Sequence, residues 1–377
     1  MNMFERIMAI LIKEFKQVFR DPRMKTVIFI TPLVQIILFG YAANKDINYV
    51  PTAIYDQDNT KESRKLLHDF TFSKYFIPEH YISSNKEQDH ILDKGLASLV
   101  IHIDRGFGRY LASGKDAQVQ LAFDGTDSNT TMVVMGYAGT VVGDYSYDWM
   151  KKKAAATGQI INVPSVDLRD RPWFNGNLVS RNYYLPGVIA TIVTMMSLLL
   201  SAMAIVKEKE IGTMEQLIVS PLKPLELIIG KLLPFAILAL IQITLITLLG
   251  IFWFHVPMRG NLALLIFSTC IYLFTSLGIG LFISTISSTQ QEAMMSVFLF
   301  FMPTVLLSGF AYPIANMPKL VQWFTFFNPL RYFMVVIRSI FLKGVGIEVL
   351  WSQLVPLLVM GILVITVSTL RFRKSLG

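Results

Sequence analysis

Residues 262–286 read LALLIFSTCIYLFTSLGIGLFISTI, an unbroken stretch with no Asp, Glu, Lys, Arg or His. Bilayer hydrocarbon is about 30 Å thick, and a helix of roughly 20 mostly apolar residues crosses it. Working outward, five further segments meet the same test: 26–43, 184–206, 232–254, 293–310 and 349–370. None of them contains a charged residue or a histidine. Over all 377 residues, 53% are hydrophobic and 16% charged, with a mean hydropathy of +0.51; an ordinary soluble domain is about 25% charged. A single large core absorbs some apolar excess, but not six runs of this length. A soluble globular protein, a disordered chain and a secreted disulfide scaffold are excluded. The lone cysteine, Cys270, lies inside the quoted run and can make no internal bridge. The expected fold is an α-helical polytopic membrane protein with six transmembrane helices.

Between the first two spans lies a segment of another kind. Residues 44–182 hold 16 Lys and Arg against 17 Asp and Glu, whereas the rest of the chain holds 18 against 9. The net charge of +8 therefore flanks the membrane and is no footprint for nucleic acid. Short cytoplasmic loops are enriched in Lys and Arg, while long domains translocate largely regardless of charge. With the N-terminus inside, segments 1–25, 207–231, 287–292 and 371–377 carry 13 basic residues, against 5 in 255–261 and 311–348. Both termini are expected in the cytoplasm, and the 44–182 domain outside a cell membrane crossed several times.

Residues 1–20 are not expected to be a cleavable leader, because Glu5, Arg6, Lys13, Glu14, Lys16 and Arg20 interrupt them and no small-residue cleavage site follows. Phe4, Ile7, Leu11, Phe15 and Val18 instead recur at helical spacing, with Lys13, Lys16, Gln17 and Arg20 elsewhere on the wheel. That pattern predicts an interfacial helix on the inner leaflet; the alternative is a helix packed on other protein. Asp21-Pro22 ends it, since proline disfavours helical backbone at the preceding residue.

The outer segment alternates strand and helix patterns: strands at 49–56, 97–103 and 118–123, helices at 61–70 and 131–156, giving a small α/β domain inserted between helices 1 and 2. Asp56, Asp58, Asp124 and Asp127 stand at strand ends, where catalytic or metal groups often sit. Asp is equally favoured in turns, where it bonds nearby backbone, and the turn reading is preferred. His68, His80, His90 and His102 are scattered without ligand spacing, and no metalloprotease, calcium-loop or nucleophile-elbow motif occurs. The domain is read as binding rather than catalysing.

With no ionisable group in any span, proton or ion coupling lacks its usual relay points. A phosphate-binding loop needs Gly, four residues, then Gly-Lys-Ser/Thr. Gly114-Lys115 and Gly230-Lys231 lack both the upstream glycine and the hydroxyl. Energy for active transport would have to come from another subunit. The inner loop 207–231 offers a place for it, because Ile211, Met214 and Ile218 share a helical face beside Leu217 before Pro221 and Pro224 end the helix. Such a stripe suits docking into a partner's groove; the alternative is a solvated connection.

Several motifs resemble one family in order and spacing. Glu210-Ile-Gly-Thr-Met-Glu-Gln-Leu, then Ser220-Pro221 and Gly230-Lys231, is similar to the coupling segment of ABC-2-type permeases. Lys13-Glu14-Phe15, Arg20-Asp21-Pro22, Pro32 and Gly40-Tyr41 agree with it, as do Leu307-Ser308-Gly309-Phe310, Pro313, Met317-Pro318, Asn328-Pro329 and Arg331-Tyr332. Tyr55-Asp56-Gln57-Asp58-Asn59 and Asp124-Gly125-Thr126 resemble the drug-export subgroup with a large periplasmic insertion.

The resemblance implies the transmembrane half of an ABC exporter in the inner membrane, paired with a second copy or a sister permease. It would be driven by separate ATP-binding subunits, with a periplasmic adaptor and outer-membrane channel as further partners. No cofactor is expected on this chain; ATP and Mg2+ would sit on the partner ATPase, and no metal site or catalytic residue is assigned here. Coupling would fall to a helix over 207–222 through Glu210, Gly212, Thr213, Met214, Glu215, Leu217 and Ile218. Segment 311–343, broken by prolines and rich in Trp, Tyr and Phe, is read as short outer-face helices dipping into the leaflet. The resemblance puts an exit gate there, at Pro313, Asn328, Pro329 and Arg331. The charge-free second and fifth spans supply Thr194, Met195, Phe298 and Phe301 for a pathway suited to amphiphilic, drug-like cargo. Lipid contact or interhelical packing is the alternative for each of these. Rival functions are export of polysaccharide or lipid-linked glycan, and a membrane-anchored extracellular ligand-binding adaptor or sensor.

Overall fold

The computed structural model describes residues 3–42, 49–156, 173–175, 179–212 and 224–374. It divides into two compact units, residues 1–45 with 171–377, and residues 46–170.

The first unit is helical. It runs α1 (Met3–Arg20), α2 (Pro22–Lys25), a π-helical turn (Thr26–Ile30) and α3 (Thr31–Ala42). After the other unit come α8 (Ser180–Ile211), α9 (Pro224–Phe252), α10 (Leu262–Ile286) and α11 (Gln290–Leu306). The chain then makes α12 (Lys319–Phe324), α13 (Pro329–Arg338) and α14 (Ile347–Lys374). Four helices are long and apolar enough to cross a membrane by themselves: α8, α10, residues 226–252 of α9 and residues 347–371 of α14. A fifth candidate is the pair Lys319–Phe327 and Pro329–Lys343, bent by 85° at Asn328.

Two of the six expected spans take shorter forms. The apolar helix over the first is Thr26–Ala42, and it opens in a π turn. Pro32 explains the turn, since it has no N–H to donate to the preceding turn and its ring crowds that carbonyl. In the fifth, α11 begins at Gln290, ahead of the expected start, because the Thr289 hydroxyl accepts the Glu292 N–H and the Glu292 carboxylate accepts the Ser288 N–H. It ends at Leu306, before a turn whose Gly309 has φ +80°.

The centre of this unit is α8, 78% of whose apolar window is buried, against 22% for α14. Its partner α10 lies close enough that a Cβ on Gly280 would fall 1.8 Å from the Ser201 hydroxyl, so only glycine fits. Hydroxyls stitch the pair: Thr194 to Tyr272 and Ser197 to Ser276, each at 2.6 Å, while Ser284 accepts the N–H of Ile205 and Val206 at 3.2 Å. Lipid tails are as apolar as leucine, so helices here gain from close backbone approach and hydroxyl bonds rather than from leaving water. Tyr272 also stacks on Phe333 of α13, ring centroids 4.1 Å apart.

Helix α1 settles between the two sequence readings. Glu14 and Val18 are buried against protein, and Ile10 lies where a Cβ on Gly230 of α9 would touch it. Phe4, Met8, Ile12 and Phe19 point outward, leaving a second apolar stripe exposed.

The second unit carries a four-stranded sheet in the order β2-β1-β3-β4, formed by Val50–Asp56 (β1), Phe76–Tyr81 (β2), Leu99–Ile103 (β3) and Val119–Phe123 (β4). The β1 pairings with β2 and β3 are parallel, and β3 with β4 is antiparallel. Helices α4 (Lys61–Phe72), α5 (Asn85–Asp93), α6 (Phe107–Ser113) and the long α7 (Ser128–Ala156) complete it. Strand β2 escaped the sequence reading because Pro78 interrupts it. Proline is tolerated only at a sheet edge or irregularity, and β2 is the edge strand with a register shift opposite Thr52 and Ala53.

The strand-end carboxylates serve turns. The Asp56 side chain accepts the N–H of Asp58 and Asn59 and the Ser63 hydroxyl; Asp58 accepts the N–H of Gly106 (2.7 Å) and Gly108 (2.9 Å) and the Thr60 hydroxyl. Asp124 accepts the Thr126 N–H and hydroxyl. Burial works against the charged form of Asp58, but the Thr60 hydroxyl and the backbone N–H groups of residues 106–108 hold its carboxyl below the usual range. A depressed folded-state value contributes stability above the ordinary Asp range, and that contribution is lost as pH falls through the folded value. Asp58→Ala should speed hydrogen exchange at Gly106 and Gly108 by about fivefold or more. Wild-type protection there should fade only in acid, and the variant should lack that acid step.

Candidate functional site

At one end of the helical unit, where α8 ends and α9 begins, three helices bring charge into the interior. The Lys231 side chain is 3% exposed. An ammonium has three protons to donate, and Lys231 Nζ finds three acceptors: Glu14 Oε1 (3.0 Å), Glu208 Oε1 (2.9 Å) and the Ala204 carbonyl (3.0 Å). Glu14 and Glu208 are themselves buried, and Glu208 Oε1 also accepts from the half-exposed Lys13 at 2.9 Å. Nearer the starts of α1 and α9, Arg6 pairs with buried Glu226 at 3.4 Å. The cluster links α1, α8 and α9. It also brackets the chain segment from 209 to 230.

Beside it opens a cavity of about 580 Å3 lined by α1, α2, the π turn, α8, Phe235 of α9 and the start of α11. Its walls are mainly apolar, with Met24, Met196, Met203 and Met294 among them. Glu14 and Glu208 line it too, together with Asp21, Lys207, Gln17 and Gln290. That volume lies within the range of small-molecule pockets, which are mostly apolar with a few convergent polar groups. Methionine suits such a wall because its unbranched, polarizable chain repacks around varied shapes.

Residues 25–370 match the family described as ABC-2 family transporter protein. The chain belongs to the ABC-2 transporter family. The ABC-2 permease is similar to two Escherichia coli K12 proteins named as probable multidrug ABC transporter permeases. YbhR is 34% identical over 95% of both chains, and YbhS 30% identical over 99% of this chain and 98% of that one. Linearmycin resistance permease protein LnrN of Bacillus subtilis is 23% identical over 90% of this chain and 92% of its own.

The site residues expected from sequence lie in different surroundings. Of the coupling set, Glu210 is exposed and hydrogen-bonded by the Gln290 amide, and Gly212 ends α8 in the left-handed region at φ +81°; Thr213, Met214, Glu215, Leu217 and Ile218 fall outside the described residues. Of the pathway set, Thr194 is buried and bonded to Tyr272, Met195 is half-buried, and Phe301 packs partly against the α8–α10–α11 contact. Phe298 is 47% exposed, in a row with Met295, Leu299 and Met302. None of these four lines that cavity, which draws instead on neighbours in α8 and α11, Met196, Met203 and Met294.

The expected gate residues gather better. The Asn328 side chain caps α13 by accepting the Leu330 N–H and donates to the Thr304 carbonyl at 2.7 Å, tying the 85° bend to α11. Pro329 opens α13, and the Arg331 guanidinium lies 4.1 Å from the Phe326 ring centre while donating to the Thr325 hydroxyl. Pro313 stands apart, ahead of the short 3-10 helix Ile314–Asn316. Among the described residues no group of three or more His, Cys, Asp or Glu is placed to hold a metal ion.

Sequence reasoning missed Glu14, Glu208 and Lys231 as a unit. The available signal was Glu14 itself, an acid standing four residues after Ile10 and four before Val18, within the row that packs inward. Removing one member of a buried pair leaves uncompensated charge and typically costs about 3–5 kcal/mol. Lys231→Met should therefore lower the thermal unfolding midpoint of the purified permease sharply. Adding Glu14→Gln should recover part of the loss; no recovery would mean that Glu14 and Lys231 are not coupled.

Proposed function

We propose that this chain is the membrane-spanning subunit of an ATP-driven exporter that takes amphiphilic, drug-like molecules from the cytoplasm or the inner leaflet. The observation that carries this reading is the cavity whose wall includes Glu208, a residue held by Lys231 at the opposite end of the 209–230 segment. A cargo site and the loop expected to dock an ATPase thus share one ion pair. The printed names of the relatives, multidrug permeases and a linearmycin resistance permease, favour the same cargo class. An apolar wall of methionines suits it better than a glycan, whose hydroxyls would meet few partners there.

In this reading six segments cross the membrane: the four long helices, the shorter Thr26–Ala42 and α11. The excess of Lys and Arg puts the charge cluster and both termini in the cytoplasm and the α/β unit outside, and the bent pair at Asn328 lies at the outer face as the exit gate. Separate subunits bind ATP and Mg2+ and press on residues 207–222. The apolar row Met295, Phe298, Leu299 and Met302 on α11 suits a second permease, the same chain or a sister.

The direct test is co-purification with ATP-binding subunits followed by ATP-dependent uptake of drug into inverted membrane vesicles. No atom of the described residues lies within 4 Å of where a Cβ on Gly212 would stand, and its φ of +81° strains any other side chain. Asn tolerates the left-handed region better than other side chains. Gly212→Trp should abolish transport by the assembled complex while Gly212→Asn keeps most of it. Normal efflux from a well-inserted Gly212→Trp protein would remove the loop from the coupling path.

A further inference from the structure

The cavity is asymmetric in charge. Among the described residues, the ionisable groups that line it are the acids Glu14, Asp21 and Glu208 and one base, Lys207. The cations that neutralise the cluster are not on its wall: Lys231 is buried behind the carboxylates, and Lys13 reaches Glu208 from α1. A molecule entering the cavity therefore meets the carboxylate side of the ion pairs, with methionines and Phe235 around its apolar part. An anionic amphiphile would face three carboxylates in a site of low dielectric, where like charges repel strongly. A neutral one would gain nothing from them. A cation would be attracted and would contend with Lys231 for the same oxygens.

We infer that the cavity selects lipophilic monocations, and that the cargo's positive charge loosens the hold of Glu14 and Glu208 on Lys231. The inference rests on the exporter reading and names its cargo class and its trigger. Lys231 lies one residue past the end of the 209–230 segment and Glu208 one residue before it. Weakening their 2.9 Å contact frees the two ends of that segment from each other. Cargo occupancy is thereby felt by the loop that docks the ATPase. By thermodynamic reciprocity, engagement of the ATPase changes cargo affinity by the same factor. Glu14 extends the effect to α1.

The experiment uses the permease with its ATP-binding subunits in nanodiscs of uncharged lipid. Its probes are tetraphenylphosphonium and tetraphenylborate, which share a shape and differ in sign. Tetraphenylphosphonium should bind about tenfold or more tighter to the complex than the borate, beyond their partition into empty discs, and should stimulate ATP hydrolysis. Glu208→Gln should weaken the phosphonium about tenfold and leave the borate unweakened. Lys231→Met should tighten phosphonium binding, because a competitor is gone, and should leave ATP hydrolysis unresponsive to it; Lys231→Arg should restore the response. A purely structural lysine would give the opposite sign, a loss of affinity.

If Lys231→Met does not fold, Asp21→Asn on the cavity wall, outside the cluster, should still lower phosphonium affinity about threefold. Equal binding of the two probes, or unchanged phosphonium affinity in both Glu208→Gln and Asp21→Asn, would overturn the inference while ATP-driven transport stood. Failure to assemble with any ATP-binding subunit would instead sink the exporter reading, whatever the probes did.

Discussion

The three protons of the Lys231 ammonium, each with its own acceptor, hold together the end of the bundle where cargo and energy would meet. Remove that ammonium and two carboxylates are left facing each other in the interior; remove one carboxylate and the ammonium keeps only the other and the Ala204 carbonyl. Losing one member is costly, so the cluster ties α1, α8 and α9 at one point. The cluster does not have to add stability relative to an apolar core to matter. What it adds is direction: an apolar contact between helices could slide by a turn, whereas the Lys231 bonds reach Glu14 on α1 and Glu208 and the Ala204 carbonyl on α8. That arrangement puts Glu14 and Glu208 side by side on the wall of the 580 Å3 cavity.

The rest of the bundle answers a different constraint. Where there is no water to escape from, α8 and α10 meet through small residues and hydroxyls: Gly280 against Ser201, Thr194 on Tyr272, Ser197 on Ser276. These contacts are short and buried, and they make α8 a rigid spine. The cavity forms on the side of α8 away from that seam, where flexible methionines replace hydroxyls. Rigidity and adaptability are thus divided between two faces of one helix. The hydroxyl-rich face fixes α8 against α10, and the methionine face forms the cavity wall.

Much of this was legible in the sequence. Long charge-free runs gave the helical bundle, because burying or lipid-facing apolar residues over more than 20 positions has one common solution. Strand alternation gave β1, β3 and β4, and the carboxylates at strand ends behaved as turn residues. What sequence could not yield was association at long range. Lys231 and Glu208 sit just outside the apolar runs, where charge looks solvated, and Glu14 lies more than 190 positions from Glu208. Nothing local says that they share one buried point. The same holds for Thr194: its composition suits a pathway, but the hydroxyl faces Tyr272, and only the rotation of α8 decides which of its neighbours line the cavity.

The absence of charge from the apolar runs first argued against any ionic machinery in the bundle, and the structure refines that argument. Ionisable groups are expensive in hydrocarbon, so they gather at span ends, where a neighbouring helix can pair them and water is near enough to accept them when the pairs part. A cluster at such a boundary is paired by its neighbours and still lies within reach of water. Deep in the core the same charges would be locked by desolvation, and fully exposed they would be screened and worth little. The span end is the one depth at which a buried ion pair holds firmly and can still be exchanged for another cation. That is the property the proposed coupling asks of a contact between the cavity and the 209–230 segment.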